Sequence, residues 1–198
     1  MEGLGVHPVF VIVAAGTLVC VFARAMAHKV SDFSWFAHTL KGYKLLPEAL
    51  AQPVAVALIA AEALIIVGLI VPPLRVFAAL LAAVLLILYA VAIALNLLRG
   101  NRRIDCGCGG AGQGLSWFLV IRNAVLVVIA LVAAATPIAV PLDLLAWISV
   151  VTGIVSLMLV VAGAEQLNEN WSWLAAADEQ AQHLNPRHHG HDHGEEHH

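Results

Sequence analysis

The sequence predicts an all-α integral membrane protein, a bundle of about five transmembrane helices, and three observations carry that prediction. Hydrophobic residues make up 61% of the 198-residue chain and charged residues only 12%, with a mean hydropathy of +0.89, far from the balance of a soluble globular domain. The apolar residues gather into five runs, each close to the roughly 20 residues that a helix needs to cross a hydrocarbon core of about 30 Å. Little sequence remains between the runs, which leaves no room for a soluble catalytic domain. Membrane lipid is therefore the first partner to expect, and no nucleic-acid partner is expected.

The first run is Val9–Ala27. The preceding "MEGLGVHPVF" carries Glu2 where a signal peptide would be basic, and no clear small-residue cleavage site follows, so this run is expected to stay as a span. After Ser31, apolar residues fall at Phe33, Phe36, Ala37 and Leu40, the i, i+3, i+4, i+7 spacing of a helix. With Trp35 and Tyr43 nearby, this short helix either lies in the membrane interface or packs on the end of the bundle. The remaining runs are Pro53–Val71, Val76–Leu98, Trp117–Ala135 and Leu142–Ala164. Without water to satisfy their backbone groups, all must be helical, and the small residues of "VIVAAGTL" and "FAALLAAV" permit close helix contacts.

Residues 1–165 thus read as the bundle and 166–198 as an interfacial segment, with Leu167, Trp171, Trp173 and Leu174, that ends in a disordered His-rich tail. In that tail His188, His189, His191 and His193 are candidates for metal handling, with an ordinary unstructured tail as the plain alternative. Five spans put the termini on opposite sides. Arg24, Lys29, Lys41, Lys44, Arg99, Arg102, Arg103 and Arg187 then share one side, against Arg75 alone on the other. The positive-inside rule places that richer side, with the loop after the third run, in the cytoplasm.

That loop contains "RRIDCGCGG", residues 102–110. A Cys-x-Cys pair closes a disulfide only if its Cα atoms come within about 4.4–6.8 Å, and Gly107 gives the backbone freedom to do so. So small a ring is strained and easily reduced, which suits exchange over permanent stapling. Arg102 and Arg103 favour the thiolate, while Asp105 opposes it. Cys106 and Cys108 are accordingly candidate catalytic thiols. The alternatives are two small loop residues, or half of a metal site that lacks the second ligand pair of a zinc ribbon. Cys20, about one turn before Arg24, is an auxiliary thiol or a small packing residue.

Among the polar residues inside the runs, Glu62, Asn96, Arg122 and Asn123 are the expensive ones. A charge at the centre of a span costs about 2.5–3.5 kcal/mol, so each is expected to have a partner or a polar cavity. From helix rise, Glu62 lies roughly 14 Å and Arg122 roughly 8–9 Å below the face that carries the cysteines. A Glu62–Arg122 pair is therefore expected within a polar cluster beneath the loop. It serves either as a structural ion pair or as the wall of a quinone or partner-thiol pocket.

"DCGCGG" after "NLLRGNRRI", with "FLVIRNAVLVV" downstream and "FARAMAHKV…LKGYKLLPEALAQPVAVALIAAEALIIVGL" upstream, resembles the MauE branch of the DoxX-like membrane proteins over roughly residues 9–135. The resemblance implies a four-helix core, here with one span added, and an architecture akin to DsbB and vitamin K epoxide reductase. It implies a part in amine metabolism, in the maturation of methylamine dehydrogenase, alongside a membrane-anchored thioredoxin-like protein of the MauD type. It also implies the cell (cytoplasmic or inner) membrane as the location. Cys106 and Cys108 would be the dithiol, with Glu62, Arg122 and Asn123 as the matching polar residues. Two features depart from that pattern: Gly109-Gly110 stands where an aromatic and a glycine are common, and there is no second loop cysteine pair. A thiol–disulfide oxidoreductase component and a non-enzymatic scaffold for such a partner both fit. A periplasmic partner also requires the loop outside, opposite to the charge count.

Overall fold

The computed structural model describes residues 5–45, 47–100 and 115–184, with side chains through residue 167 and at 170. Cys106, Cys108 and the tail residues His188, His189, His191 and His193 lie outside the described residues. Among the described residues there are six α-helices: α1 Pro8–Ser31, α2 Phe33–Gly42, α3 Ala51–Ile70, α4 Arg75–Leu98, α5 Trp117–Ala134 and α6 Leu144–Leu184. Five of them, all but α2, contain a stretch long and apolar enough to cross a membrane, and the protein is a multi-pass helical membrane protein.

Local chemistry sets the boundaries. Proline occupies the first turn of α1, where its fixed φ suits helix entry. Asp32 separates α1 from α2 and caps the latter, its Oδ1 accepting the Trp35 N–H at 2.9 Å. A 3₁₀ turn at Pro72–Leu74 joins α3 to α4, because two successive prolines cannot continue a helix. At the far end of α4, Gly100 takes φ +79° just past the C-cap Arg99, the left-handed conformation that closes many helices.

Helices α1, α3, α4 and α5 form the core. Both α1 and α4 pack against α3 and α5, so α3 and α5 stand diagonally across the bundle. Leu18, Phe22, Ile65 and Leu126 fill its centre, and Ala79, Ala82, Ala130 and Ala133 let the backbones approach. The α3–α4 contact is tight at Gly68, where a Cβ would lie 2.6 Å from the Cβ of Ala78. Arg75 ties α4 to the C-terminal end of α5 by donating to the carbonyls of Ala133 and, at 3.1 Å, Ala135, a favourable place for a cation. Beside it, Val6 pairs with the chain after α5 through Val6 N–H to Thr136 O and Ile138 N–H to Val6 O.

Of the two settings expected for the helix after Ser31, the structure shows packing: Phe36 and Ala37 of α2 sit against Ala55, Leu58 and Ile59 of α3. Two lengths differ from the apolar runs. The first helix continues to Ser31, four residues past Ala27, and the last continues past Ala164 to Leu184. Neither extension meets a helix breaker, since Asp32 ends the first and the next proline after α6 is Pro186. Residues Met1–Val161 and Ala162–His198 form two compact units. Within the first unit, α6 leans on α1 where Gly16 faces Ile154 and Gly153 faces Val13. Its outer face, including Leu144, Leu145 and Val151, is exposed.

Candidate functional site

The buried stripe of α1 runs through Val11, Ala15, Leu18 and Phe22, and seven residues further it reaches Lys29. That periodicity, two turns of helix, places an ammonium group on the inward face of the last turn. Its partner is Glu62, on the part of α3 enclosed by α1 and α4. Both residues are almost wholly buried, Lys29 at 2% exposure and Glu62 at 0%, and the Lys29 Nζ forms an ion pair and hydrogen bond with Glu62 Oε1. From α4, the Tyr89 hydroxyl donates to the same oxygen at 2.9 Å and accepts from Lys29 at 3.4 Å. The ammonium also stands 5.3 Å from the ring centroid of Phe36 and 5.0 Å from that of Tyr89, within reach of cation–π attraction. Three helices of the core and α2 thus converge on one buried charge pair.

An isolated ion in this setting would be prohibitively costly, and the pair answers that by being neutral as a unit. It is not fully satisfied. Glu62 Oε2 is buried with no hydrogen-bond partner among the described residues. Lys29 has three N–H donors, two of which meet Glu62 and Tyr89.

The expected Glu62–Arg122 pair is corrected by this geometry. Arg122 is half-buried on α5, diagonal to α3, and Glu62 is bonded instead by Lys29 and Tyr89. Depth along the membrane normal matches residues by level and says nothing about which helices are neighbours. Asn96 and Asn123 are buried as expected, and each donates its amide N–H to the carbonyl one turn back, Ala92 and Leu119 respectively, at 3.0 Å. Such back-bonding satisfies a polar side chain within its own helix. Cys20 is exposed on α1, eleven residues before Ser31 and so about 16 Å from that helix end by rise. The sequence reading overlooked Lys29 and Tyr89. The heptad step from Phe22 marked the first, and the second is the sole side-chain hydroxyl in Val76–Leu98.

Next to the triad lies a cavity of about 420 Å³, bounded by α1 to α4 and lined by Lys29, Phe36, Tyr43, Leu58, Tyr89 and Ala92 among others. Tyr43 also joins a cluster with Ile93, Leu97, Leu115 and Leu119. Leu97 and Leu115 stand on either side of the 101–114 segment in sequence, and Tyr43 and Ile93 belong both to this cluster and to the cavity lining.

The family model described as methylamine utilisation protein MauE matches residues 7–136. The chain belongs to the MauE family. The match takes in α1 to α5, hence every residue of the buried triad, and stops before α6. Among curated relatives, the chain is 42% identical over 130 residues to the methylamine utilization protein MauE of Paracoccus denitrificans, covering 64% of this chain and 70% of that protein. It is 43% identical over 120 residues to the MauE protein of Paracoccus versutus, covering 60% and 64%. It is 36% identical over 140 residues to that of Methylophilus methylotrophus, covering 69% and 74%. No solved structure matches the chain.

Proposed function

We propose that this MauE-family protein serves methylamine utilisation as the membrane component of a thiol–disulfide redox system, working in the cytoplasmic membrane with a thioredoxin-like partner of the MauD type. The observation that carries the reading is the family match over α1 to α5, in a chain whose α4–α5 connection contains the Cys106-Gly107-Cys108 sequence. A thiolate of the reduced partner attacks the Cys106–Cys108 disulfide, forming a mixed disulfide and releasing the other cysteine as thiolate. The partner's second thiol then closes its own disulfide, and this chain is left as the dithiol. Two electrons have entered the membrane component and pass on to an acceptor in the membrane.

The competing reading is a scaffold that holds the partner without exchanging with it. Cys106→Ser and Cys108→Ser separate the two. Without its resolving thiol, one variant should accumulate a reducible heterodimer on non-reducing gels, and activity of the matured amine-oxidising enzyme should fall. Two monomeric variants with full activity would favour the scaffold. Labelling of the same cysteines by an impermeant maleimide in sealed cells reports whether they face the periplasm, where such a partner works.

A further inference from the structure

The cavity beside the buried pair offers its occupant hydrocarbon. Lys29 is enclosed, its side chain 1% exposed with two aromatic rings packed on the ammonium, and the Tyr89 hydroxyl is bonded to Glu62. Apart from the hydroxyls of Thr39 and Tyr43, the remaining side chains of the lining are aliphatic or phenyl. Leu88, Val91 and Leu95 line the cavity and are also exposed on the outer face of α4, so it opens sideways to the acyl chains of the bilayer. Along α4 the opening runs about 10 Å, from Leu88 to Leu95. A hydrocarbon chain suits such a slot, whereas a polar solute would lose its hydration without a partner in return.

The rim, by contrast, is cationic. Lys41 and Lys44 stand beside the lining residues Leu40, Tyr43 and Leu45. Arg99 stands one turn beyond Leu95, on the same side of α4. All three are exposed, and none has an ion-pair partner among the described residues. The described carboxylate nearest to them in the chain is Glu48, so the rim stays net positive. Lys44 also takes φ +50°, in the left-handed region where glycine is favoured at the end of a helix. Gly42 stands two residues earlier, inside α2, and the strained position is given to a lysine. A side chain kept there at a conformational cost points to a use for its charge.

We propose that this cavity is a binding site for an anionic phospholipid, with one acyl chain lying in the cavity and the phosphodiester held at the rim by Lys41, Lys44 and Arg99. The apolar interior selects the chain and the three cations select the headgroup. A choline or ethanolamine headgroup would bring a further cation against them, so a lipid of net negative charge is preferred. The site does not depend on the thiol chemistry and is tested apart from it.

The test uses the full chain in detergent and compares dioleoyl phosphatidylglycerol with dioleoyl phosphatidylcholine by native mass spectrometry and thermal melts. Phosphatidylglycerol should bind more tightly and raise the melting temperature further. Lys44→Gly should weaken phosphatidylglycerol about fivefold and leave phosphatidylcholine unchanged. Because glycine suits the left-handed backbone, that variant should melt no lower than the parent without lipid, so its loss of binding is not a loss of folding. Adding Lys41→Gln should cost about fivefold again. Ala92→Trp, which fills the cavity from α4, should weaken both lipids alike. A phosphatidylglycerol with a diazirine in its acyl chain should label residues 54–58 and 88–95. Equal affinity of the parent for the two lipids, a preference that survives Lys44→Gly, labelling elsewhere, or equal competition by oleate would overturn the proposal.

Discussion

Breaking the Lys29–Glu62 pair is the sharpest test of how the bundle is held together. Lys29→Met keeps the length of the side chain and removes the charge, leaving the Glu62 carboxylate enclosed with Tyr89 as its one described donor. Glu62→Gln does the converse and strands the ammonium between two aromatic rings. Loss of one partner from a buried pair costs about 3–5 kcal/mol, whereas loss of both removes the desolvation penalty together with the attraction. The double variant should therefore be no worse than either single one, losing mainly the charge-assisted bond from Tyr89, about 1.5–3 kcal/mol. The coupling energy in the double-mutant cycle is then at least about 3 kcal/mol. It is read as reversible unfolding of the purified protein in detergent, with abundance in the membrane as a second measure. A control cycle of Glu62→Gln with Arg122→Leu should be additive, because α3 and α5 are diagonal. Additivity in the Lys29 cycle, or strong coupling in the Arg122 cycle, would refute the geometry.

Three further outcomes follow from the packing. Gly68→Ala puts a methyl group 2.6 Å from the Ala78 Cβ; neither atom can swing away, so stability should drop by about 1–3 kcal/mol and recover in part with Ala78→Gly, as thermal melts would show. Asp32→Ala removes the cap that accepts the Trp35 N–H and should cost about 1 kcal/mol, seen as faster amide exchange confined to the first turn of α2. Reporter fusions at Gly3 and Gln182 should report opposite compartments; the same compartment for both would remove one of the five spans.

The spans were legible because the bilayer imposes a length and the backbone imposes the helix, so hydropathy alone located α3, α4 and α5 to within a residue or two. The packing of α2 was legible in the spacing of Phe33, Phe36, Ala37 and Leu40, although the choice between membrane interface and bundle needed its neighbours Ala55 and Leu58. The polar centre was half legible. Glu62 stood out as a carboxylate in an apolar run, yet its partner was concealed by the same reasoning, since a span taken to end at Ala27 turns Lys29 into a loop residue. Hydropathy ends a helix at the first cluster of polar residues. The chain ended this one at its capping residue, Asp32, and folded the intervening lysine inward. Tyr89 was hidden for another reason: a phenol is ordinary near a membrane, and only its distance from a carboxylate gives it a role.

That buried lysine also changes how the charges of the chain bear on orientation. The positive-inside rule weighs basic residues in loops near the ends of spans. Lys29 is no such residue, because its charge is balanced by Glu62 inside the bundle. Arg24 lies within α1, seven residues before its end, and Arg187 stands about 20 residues beyond the last span, at the limit of the rule's reach. Arg102 and Arg103 lie in the cysteine loop and keep their full weight. What remains on that side is Lys41, Lys44, Arg99, Arg102 and Arg103, against Arg75, whose guanidinium is committed to the carbonyls at the end of α5. Eight against one has become five against one, and the charge count still places the loop in the cytoplasm. The proposed exchange with a periplasmic thioredoxin-like partner requires the opposite side, and labelling of Cys106 and Cys108 by the impermeant maleimide decides between the two.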